Sequence, residues 1–196
     1  MGKGRMLGSG RVIYELTVSV DGFAARTDRD ISWHDSPGFE LTYPDQLKFL
    51  DHVGAIVLGA KTYEMFADYW PYADPREEKI APRINELPKF VFSSSLTEAP
   101  WGEHAAGTIL GGDLAAELDT VRREVGGDIV VWGSLDLGNS LAADGLVDVL
   151  RLRTVPILLG EGVPLWPAHA EARLDLKSMT SYPGGHTTAE YDVIPE

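Results

Sequence analysis

The residues best suited to hold phosphate sit in three short turns. The first is Leu58-Gly59-Ala60-Lys61-Thr62-Tyr63-Glu64. Gly59 lets the backbone turn and the start of a helix presents unpaired N–H groups. Thr62 adds a hydroxyl and Lys61 a positive charge, a combination that suits a phosphate. Taken alone, the turn is also readable as a strand ended by Gly59 and a helix capped by Thr62. The second turn carries Ser93 and Ser94 after the apolar run ending at Phe92. The third lies in Gly127-Asp128-Ile129-Val130-Val131-Trp132-Gly133-Ser134-Leu135-Asp136-Leu137, where a β-branched run stops at Gly133-Ser134 and a helix-compatible segment follows at once. In open α/β sheets ligands bind beyond the carboxyl ends of the strands. A long ligand with more than one phosphate would use all three turns.

Other chemistry has less support. The opening Gly8-Ser9-Gly10 precedes the first strand, so it is not a dinucleotide fingerprint. No Gly-x-Ser-x-Gly elbow is present. The five histidines (His34, His52, His104, His169, His186) show no i, i+4 pair, and no metal site is expected. Asp21, in the Asp21-Gly22 turn, faces the expected cleft and is a candidate proton donor or a plain turn residue. Trp33 and Trp132 could wall a flat substrate or fill the core.

Around these turns the chain alternates strand and helix. Val12, Tyr14, Leu16, Val18 and Val20 predict a first strand, and Ala55–Leu58 a buried second one, with a short helix over Thr62–Ala67 after it. The polar segment from Phe23 to Tyr43 reads as a long functional loop. Lys89–Phe92 and Thr108–Leu110 are further strands. Asp113 is a good N-cap for a helix with Leu114, Leu118, Val121 and Val125 on its buried side. A strand from Val147 to Val155 follows, then an antiparallel pair, Ala172–Tyr182 and Thr187–Val193, around Pro183-Gly184-Gly185. This pattern predicts a three-layer α/β/α domain with a mixed, mostly parallel sheet and a C-terminal antiparallel hairpin. Residues 11–196 read as a single domain and 1–10 as a flexible extension.

Composition bounds the partners. The chain has 196 residues, 44% of them hydrophobic, no cysteine and a formal net charge of −13. That charge argues against nucleic acid or an anionic membrane as a partner. No apolar run reaches the roughly 18 residues of a membrane span. The absence of cysteine fits a cytoplasmic address.

The turns, in their order, resemble the dihydrofolate reductase superfamily, and more closely the branch containing the reductase domain of riboflavin biosynthesis. The resemblance rests on Ser19-Val20-Asp21-Gly22-Phe23, the Gly59 turn, Phe92-Ser93-Ser94 and the Gly133 turn. Leu146-Val147-Asp148 and Pro156-Ile157-Leu158-Leu159-Gly160-Glu161-Gly162 complete it. It implies a sheet of about eight strands and a homodimer acting on a small-molecule substrate. The implied activity is NADPH-dependent hydride transfer to a small flat heterocycle, pyrimidine-, aminouracil- or pterin-like, as in 5-amino-6-(5-phosphoribosylamino)uracil reductase. A non-catalytic nucleotide-binding dimer on the same fold is the alternative. The resemblance assigns Gly59, Lys61 and Thr62 to the cofactor phosphates, Ser93 and Ser94 to the adenosine end, and Gly133, Ser134, Leu135 and Asp136 to the pyrophosphate. Val18, Ala24 and Gly138 fall to the nicotinamide. Asp45 lies near the acid that folate reductases carry on the helix after the first loop; its other reading is a helix N-terminal Asp favoured by the macrodipole. Two positions depart from the pattern. Ala60 replaces an Arg common in relatives, which leaves NADH open beside NADPH. Trp132-Gly133-Ser134 replaces the Glu-Gly-Gly of riboflavin reductases.

Overall fold

The computed structural model describes residues 10–168 and 170–194. The expected extension at 1–10 therefore lies, apart from Gly10, outside the described residues.

The central sheet has eight strands in the order β5-β4-β3-β6-β1-β7-β10-β9. Five parallel pairings join β5 (Thr108–Leu110), β4 (Lys89–Phe92), β3 (Val53–Gly59), β6 (Asp128–Trp132), β1 (Val12–Ser19) and β7 (Val149–Val155). β10 (Thr187–Ile194) and β9 (Arg173–Ser181) add the antiparallel hairpin.

Alternate side chains of the inner strands feed two cores. Ile129 and Val131 of β6 pack with Leu118 and Val121 of α4 (Leu114–Glu124) and with Leu137 and Leu141 of α5 (Leu135–Ala143). Val130 and Trp132 face the other way, toward α1 (Tyr43–Leu50), α2 (Ala60–Tyr69) and α3 (Ala81–Glu86). The period-2 pattern of a strand buried on both faces thus makes three layers. Asp113 caps α4 as expected, its Oδ1 accepting the Ala116 N–H at 3.0 Å.

Several boundaries and contents differ from expectation. Val20 lies past the end of β1 and is 61% exposed. Helix α2 is longer than the expected Thr62–Ala67: it starts at Ala60, directly after the extended Gly59, and runs on to Tyr69. Thr62 is therefore inside the helix and does not cap it. The long loop is not structureless: β2 (Phe23–Ala25) pairs with β8 (Val163–Pro164), and single helical turns cover Ser32–His34 and Phe39–Thr42. β2 and β8 lack the run of β-branched residues ended by a glycine pair that marks the similarly short β5. Among the described residues, no helix is long and apolar enough to cross a membrane.

Candidate functional site

A cavity of about 550 Å³ opens at the carboxyl ends of β3 and β6, between the starts of α2 and α5. Its size lies in the range of ligand clefts. The sheet order makes β4, β3 and β6 neighbours, so the three turns lie side by side. Gly59, Lys61, Thr62, Gly133, Ser134, Leu135 and Asp136 all line the cavity. Gly133 turns the chain with a φ of 59°, a left-handed conformation that favours glycine.

Ser134 ties the two turns together. Its hydroxyl accepts the Gly59 N–H at 2.9 Å and donates to the Trp132 carbonyl at 3.2 Å. The side chain is thereby committed to structure, and it is the backbone N–H groups at the two helix starts that remain for an anion.

The other expected residues lie elsewhere. Val18 and Ala24 are buried in the core, and Ala25 lines the cavity instead. Gly138 is the seat of the Tyr14 ring: a Cβ there would stand 2.2 Å from it, so the glycine lets α5 close on β1. Ser93 accepts the N–H groups of Ser95 and Leu96 at 3.1 and 3.0 Å, shaping its own loop. Ser94 is exposed outside the cavity lining, which β4 reaches through Phe92. Trp132 packs edge-on against Phe66, ring centres 6.0 Å apart, and Trp33 against His34 at 4.3 Å; both indoles are buried.

Neither candidate acid is poised to give up a proton in this cavity. The Asp21 carboxylate accepts the Ser19 hydroxyl at 2.6 Å and the Leu159 and Gly160 N–H groups at 3.1 and 2.7 Å. These bonds, the Ser19 hydroxyl foremost, lower its pKa to about 2. Asp21 is a tie between the β1 end and the loop after β7. Because the folded-state pKa is depressed, the tie is intact above the ordinary carboxylate range and is lost as pH falls toward 2. Amide exchange at Leu159 and Gly160, corrected for intrinsic rates, is expected to accelerate as pH drops from 4 to 2, and Asp21→Asn to abolish that pH step. Equal protection across the range would refute the tie.

Asp45 accepts the Tyr182 hydroxyl at 2.8 Å and Lys48 at 3.2 Å, which lower its pKa. One residue further along α1, Gln46 is the side chain buried against the sheet. Its amide donates to Glu15 at 2.9 Å and its carbonyl oxygen accepts from Arg151 at 2.7 Å. Glu15 also meets Arg151 at 3.1 Å and Arg153 at 3.8 Å. Arg153 donates to Thr42 at 2.6 Å and lies over the Phe39 ring. Sequence reading missed this buried network, because Glu15 sits in what looks like the wet face of an alternating strand.

It also missed Arg29, which reaches into the cavity lining from the long loop. Nothing in a polar turn sequence distinguishes that arginine from its neighbours.

The RibD C-terminal domain family model matches residues 11–188. The uncharacterized protein YyaP of Bacillus subtilis is 28% identical over 175 residues, 87% of each chain. The fold is shared with a putative riboflavin biosynthesis protein from Shewanella, at a TM-score of 0.75 and 20% identity over 94% of this chain and 99% of that one. It is also shared with Enterococcus faecalis dihydrofolate reductase, solved in complex with NADP(H), at a TM-score of 0.61 and 14% identity over 95% and 98%.

Proposed function

The chain belongs to the RibD C-terminal domain family, and we propose accordingly that it is an NADPH-dependent reductase of a small flat heterocycle, pyrimidine-, aminouracil- or pterin-like. The observation that carries this reading is the pair of helix starts, joined by Ser134, on one cavity of about 550 Å³. Two adjacent N–H-rich turns suit the two linked phosphates of a dinucleotide better than a single anion. Bound NADPH would supply the hydride. Thr62 and the N–H groups of α2 would hold one of the linked phosphates, and the first turn of α5 the other. Ala25, Ile31 and Leu137 give the cavity apolar walls. Lys61 is the side chain available for a 2′-phosphate in place of the missing arginine, so the choice of NADPH over NADH rests on it.

A second reading, a nucleotide-binding protein without hydride chemistry, is favoured by one observation: Asp21 and Asp45 are both committed to partners away from the cavity lining. Under the reductase reading the proton comes through water. Titrating NADPH and NADH against tryptophan fluorescence, then screening folates, pterins and aminouracils for oxidation of bound cofactor, separates the two. No binding up to millimolar cofactor would sink both readings as dinucleotide sites, and binding without oxidation favours the second.

A cytoplasmic homodimer belongs to the same proposal. The edge strand β9 is exposed along its length. A register shift leaves Lys177 out of the residue-to-residue pairing with β10, so Leu174, Leu176 and Met179 stand opposite Val193, Tyr191 and Ala189 and share one face. Such an apolar stripe in water suits a second copy of the chain. Leu176→Glu is expected to convert a dimer to a monomer in sedimentation at micromolar concentration. A wild-type monomer, or a variant that stays dimeric, would count against this face.

A further inference from the structure

Arg29 has a φ of 69°, the one positive value at a non-glycine position among the described residues. It ends a tight turn in which its N–H donates to the Arg26 carbonyl at 2.9 Å and the Arg26 N–H to the Asp30 carbonyl at 3.0 Å. Left-handed backbone favours glycine or asparagine, and a half-exposed ion pair adds little to stability. Local folding therefore gives no reason for an arginine here.

The reason lies across the cavity. Both guanidinium Nη atoms stand 3.0 Å from the two carboxylate oxygens of Asp136, a bidentate pair. Asp136 is in the first turn of α5, where the N–H groups and the helix dipole that would receive a phosphate also favour a carboxylate. Its carboxyl is held below the usual range, chiefly by the Arg29 hydrogen bonds, with Lys61 contributing through its charge. Arg29, Asp136 and Lys61 all line the cavity.

We propose that Arg29 is a diphosphate-binding residue held in reserve by Asp136, the carboxylate acting as an internal competitor that a dinucleotide diphosphate displaces. This rests on the dinucleotide reading of the cavity. Before ligand arrives, the pair keeps the loop against α5. As the ligand enters, the two negative charges of its diphosphate take the guanidinium over from the single carboxylate, and Arg29 holds the loop over the bound molecule.

The two partners then have opposite effects on binding, which an ion pair that merely anchors the loop would not produce. NADPH is titrated by tryptophan fluorescence into wild type, Arg29→Asn, Asp136→Asn and the double variant, at one ionic strength. Asparagine is used at 29 because it tolerates the left-handed backbone. Arg29→Asn is expected to weaken NADPH about tenfold, and Asp136→Asn to tighten it severalfold. The gain from Asp136→Asn should largely vanish when Arg29 is already replaced. Wild-type binding with an unaffected Arg29→Asn variant overturns the proposal, as does an Asp136→Asn variant that binds no better than wild type. An equal gain in both backgrounds also overturns it, leaving Asp136 as general repulsion. A wild type that binds neither NADPH nor NADH instead overturns the dinucleotide reading itself.

Discussion

Replacing Glu15 with alanine is expected to lower the unfolding free energy by about 3–5 kcal/mol. Domains of this kind are held together by only about 5–15 kcal/mol, so the loss removes a large fraction of that margin. Glu15 is fully buried, and Arg151 and Arg153 are nearly so. Burial pushes the Arg153 guanidinium down to about 10, and the Glu15 charge is the largest influence opposing that fall. Without Glu15, two guanidinium groups remain in the interior with Glu190, 2.9 Å from Arg151, as the nearby carboxylate. The cost arises from the charges left behind rather than from the intrinsic strength of the pair. Glu15→Gln, which preserves shape and an oxygen for Gln46 but not the charge, separates the two contributions. Urea unfolding of both variants is the measurement. A loss below about 1 kcal/mol, the scale of an exposed pair, would mean that the network does not carry its charge in the interior.

Ser134→Leu is expected to weaken NADPH by about tenfold to a hundredfold, the equivalent of about 1–3 kcal/mol of overpacking. Ser134 is almost fully buried between the two helix starts. A hypothetical Cβ on Gly59 would stand 3.8 Å from the Ser134 Cβ, which shows how closely the turns approach. A leucine would push them apart and orphan the Gly59 N–H. Ser134→Thr keeps the hydroxyl and should bind far better than Ser134→Leu. Near-UV circular dichroism confirms that the variants are folded before titration. Undiminished binding by a folded Ser134→Leu protein would remove the joined turns as the seat of the diphosphate.

Much of the fold is legible in local patterns. The order of strands and helices, the Asp113 cap and the C-terminal hairpin depend on residues within a few turns of one another, where periodicity and turn chemistry act. The glycine turns at Gly59 and Gly133 are legible for the same reason. Asp45 shows where that legibility ends: its place at the start of α1 is clear, but a helix rotates about 100° per residue, and packing puts Gln46 rather than Asp45 against the sheet. Gly138 reads in the sequence as a ligand neighbour, whereas its contact is with Tyr14, on a separate element.

Neighbouring residues alone are enough to specify which segments form strands and helices and where backbone N–H groups are left free at strand ends. The adjacency of three of those ends came from the assembled sheet, as did the bond from Ser134 to Gly59 across 75 residues and that from Gln46 to Arg151 across 105. The same assembly brought Arg29 to Asp136 and enclosed Glu15 with its arginines. Range explains the division. Turn and helix signals act between neighbours in the chain, whereas charge compensation and cavity lining depend on strand order and helix rotation, which are settled by packing the whole sheet.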